Sequence, residues 1–116
     1  MRFLLVEDQA ALRRLYRGVL LSMGHADVSE VVNGREGLDR IRAERFDVVV
    51  LDQEMPEMTG LELLCALERE RVRPAILFVS GSLPAEARAP GRVEGVLPKP
   101  FTHDEFAAAI RAIVDR

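Results

Sequence analysis

Cysteine is almost absent from this 116-residue chain: Cys65 stands alone. A single thiol cannot close an internal disulfide, so a reducing compartment is the natural setting. Long apolar runs are missing too. The opening run Phe3-Leu4-Leu5-Val6 meets Glu7 and Asp8 at once, too short for a signal peptide or a membrane span. A cytoplasmic protein is therefore expected. There is no excess of positive charge: the net charge is -3, which gives no electrostatic reason for binding nucleic acid or a membrane. Internal repeats, low-complexity stretches and linkers are also lacking. No EF-hand loop or His/Cys ligand cluster occurs, and His25 and His103, at a strand start and a helix start, read as structural or exposed.

What remains is an ordinary globular composition, 48% apolar and 30% charged, over a length that suits one domain spanning residues 1–116. Three runs are continuously hydrophobic, Phe3–Val6, Val48–Leu51 and Ala75–Val79, as parallel strands covered on both faces should be. Two weaker runs, around Ala26–Val32 and Val93–Leu97, carry acids and suit sheet edges. Between them, Leu12, Leu15, Tyr16, Val19, Leu20 and Met23 recur at helical spacing. Later helices open on Asn33 before Glu36, Thr59 before Glu62 and Thr102 before Glu105, each a capping-box pattern. Cys65, near Leu61, Leu64 and Glu68, is expected on the inner face of its helix, in the core. Strand-helix alternation predicts an α/β fold: a flavodoxin-like, doubly wound (βα)5 sandwich with a five-stranded parallel sheet in order 2-1-3-4-5.

Ligands of such sheets bind at the carboxyl ends of the strands. Glu7 and Asp8 follow the first run, Asp52 and then Glu54 the third, Ser80 the fourth, and Lys99 the fifth. Taken singly, each has an ordinary role: Asp8 as a helix N-cap, Ser80 in a turn, Lys99 as a solvated loop charge. Together on one rim they form a set suited to phosphoryl chemistry. Mg²⁺ takes one or two carboxylates with water and a phosphate oxygen, which Asp8 and Asp52 can supply, with Glu7 reaching through water. A carboxylate oxygen of Asp52 is then the nucleophile, while Lys99 and the Ser80 hydroxyl meet charge on the equatorial oxygens. A Ca²⁺ site is the rival reading, and the lysine argues against it.

The segments LLVEDQ (4–9), VVNGREGL (31–38), VVVLDQEMPEMTGLELL (48–64), FVSG (78–81) and LPKPF (97–101) resemble, in order, the receiver domains of bacterial two-component response regulators. The resemblance covers the whole chain and is closest to stand-alone, chemotaxis-regulator-like members. It implies that Asp52 is the phosphoacceptor, that Glu7, Asp8, Asp52 and the backbone carbonyl of Glu54 hold Mg²⁺, that Ser80 is the switch hydroxyl, and that Lys99 contacts the phosphoryl group before a cis Pro100. It also implies a sensor histidine kinase or histidine phosphotransfer protein as donor and an unknown downstream protein as target. The expected oligomeric state is monomer or weak homodimer. Its only catalysis would be of its own phosphorylation and dephosphorylation.

Two positions depart from the family pattern. Val96 stands where an aromatic usually follows the switch hydroxyl inward. The stretch from Ser80 to Lys99 is short and contains Pro84, Pro90 and Gly91, so the fourth helix is expected to be short or disordered. This is either a tolerated deletion or a device in which residues 81–92 order on phosphorylation. Two other classes compete with this reading. A constitutive docking domain with a little-used phosphosite would bind its partner regardless of Asp52. A haloacid-dehalogenase-type phosphatase would need Asp-x-Asp where this chain has Glu7-Asp8-Gln9, and a flavodoxin would need a Ser/Thr/Gly-rich loop there.

Overall fold

Apolar runs become strands here because helices cover both faces of the sheet. In the computed structural model, which describes residues 1–70, 73–81 and 93–115, the order is β1 (Phe3–Val6), α1 (Ala10–Ser22), β2 (Val28–Val31), α2 (Gly34–Ala43), β3 (Val48–Asp52), α3 (Gly60–Leu67), β4 (Ala75–Ser80), β5 (Gly95–Pro98) and α4 (His103–Val114). The strands form one parallel sheet in the order β2-β1-β3-β4-β5, the flavodoxin-like arrangement expected. The two polar runs are its edges. The expectation of a short or disordered fourth helix falls on residues 82–92, outside the described residues.

Alternation along β1, β3 and β4 divides the core in two. Phe3, Leu5, Val48, Val50, Leu77 and Val79 pack with Tyr16, Leu20, Phe106 and Ile110 of α1 and α4. Leu4, Val6, Val49, Leu51, Ile76 and Phe78 pack with Leu38 of α2 and Leu63, Leu64 and Leu67 of α3. Side chains of successive strand residues point to opposite faces, so an unbroken apolar run fills both layers.

The helix starts follow their capping signals. Thr59 and Thr102 each accept from the backbone N–H three residues on, and Glu62 and Glu105 reciprocate, completing both boxes. Asn33 accepts from the Glu36 N–H, but the Glu36 carboxylate receives the Asn33 amide rather than its backbone N–H. Cys65 corrects an expectation: it is exposed. The buried stripe of α3 is Gly60, Leu63, Leu64 and Leu67, spaced by three and four residues. Cys65 lies one step round the helix from Leu64 and one turn from the half-buried Leu61, off that stripe.

Gly60 joins α3 to the end of β3. A Cβ there would lie 2.6 Å from the carbonyl oxygen of Asp52 and 3.0 Å from Cα of Gln53. The same approach lets the Gly60 N–H donate to the Gln53 carbonyl at 3.2 Å and the Leu61 N–H to Gln53 Oε1 at 2.7 Å. Gly60→Ala is expected to cost about 1–3 kcal/mol, since backbone rather than a flexible side chain must yield. Urea unfolding of the two proteins measures it; equal midpoints would show that the loop relaxes freely.

Candidate functional site

Register brings the acids together. Val6 of β1 pairs with Leu51 of β3, so Glu7 and Asp52, one residue on, end adjacent strands side by side. Alternation puts both on the face that carries Leu5, Val50 and Tyr16. Ser80 ends β4 opposite Pro98 of β5, and the Lys99 N–H donates to the Ser80 carbonyl at 2.9 Å. The rim therefore gathers residues far apart in the chain.

Asp52 is 1% exposed and engaged at both oxygens. Oδ1 accepts the Glu54 N–H at 3.0 Å, and Oδ2 lies 2.7 Å from the Lys99 ammonium. Burial works to raise its pKa, but the contacts with Glu7 and Lys99 and the hydrogen bond from Glu54 outweigh it and hold the carboxyl below its ordinary value. Lys99 is the reciprocal case: burial disfavours its charge, and the adjoining Asp52 more than restores it.

Glu7, also 1% exposed, has fewer donors. Oε2 accepts the Gln9 N–H at 3.0 Å, while Oε1 has no hydrogen-bond partner. Burial first, then the Asp52 carboxylate, push its pKa up to about 9, with the Asp8 side chain adding to the rise. Burial and the neighbouring Asp52 thus favour the neutral form of Glu7, while Lys99 and the Glu54 N–H favour the charged form of Asp52. A site this short of positive charge, with a buried carboxylate oxygen facing no donor, fits a divalent cation. Among the described residues, no three His, Cys, Asp or Glu side chains form a ready metal cluster, so a cation here would rely on few protein ligands.

The structure places the expected residues as follows. Glu7, Asp52, Ser80 and Lys99 converge; Asp8 is next to them but exposed. The Lys99–Pro100 peptide is cis, as the resemblance implies. Val96 is half-buried in β5 opposite Phe78. His25 packs its ring against Phe3, and His103 is exposed at the start of α4.

Three contributions were not anticipated. The Glu54 carboxylate, whose contact with the switch hydroxyl nothing in the sequence signals, accepts from Ser80 Oγ at 2.8 Å. Arg13 Nη1 donates to the Glu7 carbonyl at 2.8 Å while its Nε meets Glu30, so an apparent surface arginine ties α1 to the acidic turn. Tyr16 is buried against Phe101 and Phe106, and burial, then Glu7 and Asp52, keep its phenol from ionising. Only the one-turn spacing from Gln9 to Arg13 and Tyr16 hinted at these last two.

Comparison with known proteins gives this arrangement its setting. The response regulator receiver domain family matches residues 3–111. The chain belongs to that family. Among curated proteins, the cell cycle response regulator CtrA of Brucella ovis is 34% identical over 119 aligned positions, covering 100% of this chain and 51% of that protein. The receiver thus spans about half the length of the curated relatives it matches. Among solved structures, the chemotaxis response regulator CheY4 of Vibrio cholerae superposes with a TM-score of 0.82 at 27% identity, covering 97% of each chain. A CheY-like receiver domain protein of Methanospirillum hungatei JF-1 gives 0.86 at 25% identity, over 98% of this chain and 93% of its own. This is a family of signalling regulators rather than of enzymes in the usual sense. Among the described residues, no helix is long and apolar enough to cross a membrane.

Proposed function

We propose that this receiver is a phosphorylation switch that accepts a phosphoryl group on Asp52. The observation that carries the reading is the setting of that carboxylate: buried, with the Glu54 N–H on one oxygen and the Lys99 ammonium against the other. A nucleophile fixed in this way needs little further ordering to meet phosphorus.

The donor is a phosphohistidine of a sensor kinase or phosphotransfer protein, or a small acyl phosphate. One Asp52 oxygen forms the new O–P bond as the donor's P–N or P–O bond breaks, and the leaving group keeps that electron pair. A departing imidazole takes its proton from water. The Lys99 ammonium and the Ser80 hydroxyl, which flank the Asp52 position, donate to the phosphoryl oxygens where charge accumulates. Glu7, Asp8, Asp52 and the Glu54 carbonyl would hold Mg²⁺, some of them through water, and the ion when bound offsets the charge of carboxylates and phosphoryl group together. Signalling to an unknown downstream protein, or onward transfer of the group in a relay, then depends on the altered surface. A cytoplasmic location suits such a partner set.

The test is intact mass after incubation with Mg²⁺ and acetyl phosphate. One added phosphoryl group is expected, lost with EDTA and absent from Asp52→Asn. An unmodified parent protein, or an equally modified variant, would overturn the assignment. Partner binding unaffected by Asp52→Asn would instead support a constitutive docking domain.

A further inference from the structure

We propose that Glu54 is a positioning residue that latches the switch hydroxyl in the unphosphorylated state, so that Ser80 exchanges one anionic acceptor for another on activation. The inference rests on the reading of Asp52 as phosphoacceptor and deepens it.

Ser80 is fully buried at the end of β4, and its hydroxyl donates to Glu54 Oε1 at 2.8 Å. Glu54 is exposed, and its own backbone N–H is committed to Asp52 Oδ1. One residue therefore contacts both the phosphoacceptor and the switch hydroxyl, through different atoms. A serine has a single proton to donate, so Ser80 cannot serve Glu54 and a phosphoryl oxygen at once. When the phosphoryl group arrives, the proton must turn from the Glu54 carboxylate to the new oxygen. Because Glu54 is exposed, water replaces the lost donor, and the latch releases at low cost. Val96 stands at the family's aromatic position, so the turn of the hydroxyl has no aromatic partner there to follow it.

The latch and simple charge repulsion are separable by a double-mutant cycle. Affinity for Mg²⁺-beryllofluoride, a phosphoryl analogue, is measured by calorimetry for the parent, Glu54→Ala, Ser80→Ala and the double variant. Glu54→Ala is expected to tighten binding about 3- to 10-fold in the parent, as loss of a charge-assisted hydrogen bond from the resting state should. In the Ser80→Ala background the same change is expected to act by less than about 2-fold, since no hydroxyl remains to be released. As a structural readout, Ser80 side-chain couplings in nuclear magnetic resonance should report one χ1 rotamer in the free protein and another with the analogue. Equal Glu54→Ala factors in both backgrounds would overturn the latch and leave Asp52 as phosphoacceptor intact. An analogue that binds none of the four proteins would overturn the Asp52 reading and the latch together.

Discussion

Replacing Lys99 with methionine is expected to slow phosphoryl incorporation by about 10²-fold or more, the usual consequence of removing a donor positioned on developing charge. Methionine keeps the apolar stem, so the change isolates the ammonium. The same substitution removes the cation that Asp52 contacts. Breaking a buried pair by removing one partner is costly because the other charge stays desolvated. Lys99 is 25% exposed, so water can partly reach the gap, and about 2 kcal/mol at neutral pH is expected rather than the full buried-pair penalty. The pH dependence follows from Asp52. Its folded pKa is depressed below the ordinary 3.8, so its contribution is present above that value and is lost as pH falls through the folded pKa. The gap between parent and variant should therefore be widest near neutrality and close in acid. Denaturant unfolding across pH measures it, and a gap independent of pH would show that Lys99 stabilises only by packing.

Glu7 has the opposite sign. A folded pKa near 9 against an ordinary 4.5 means that the folded chain keeps a proton the unfolded chain has released. The stabilising contribution of that proton is complete below about 4.5 and is lost as pH rises through the folded pKa. Without divalent cations, Glu7→Gln imitates the protonated form at every pH. It should be more stable than the parent at neutral pH by on the order of 2–3 kcal/mol, and the advantage should grow up to about pH 9. Millimolar Mg²⁺ should narrow it, because the cation stabilises the ionised parent and finds one carboxylate fewer in the variant. Thermal unfolding with EDTA and with Mg²⁺, from acid to alkaline pH, reads both effects. A variant no more stable than its parent at alkaline pH in EDTA would show that Glu7 is ionised in the folded state.

These two carboxylates mark where sequence and tertiary structure divide the account. That Asp52 directly follows Leu51 in an apolar strand, and Glu7 directly follows Val6, is visible in the chain. Strand identity, the covering of the sheet on both faces, the Thr59 and Thr102 caps and the edge position of the polar strands were legible for the same reason. Each depends on periodicity or on contacts within four residues. Cys65 was misplaced because Leu61, Leu64 and Glu68 fit two neighbouring helix faces, and only packing of Leu63 and Leu67 against the sheet chooses between them.

The fold and the groups at the rim are legible in the chain alone, since alternation of strands and helices puts the carboxyl end of every strand on one edge. Packing between distant segments sets the different surroundings of the two adjacent carboxyls and the partner of the Ser80 hydroxyl. Glu7 and Asp52 are similar acids at similar strand ends. They differ because Lys99, 47 residues beyond Asp52, closes on one of them and not on the other. Burial then amplifies that difference, as charges out of water depend on the few donors that reach them.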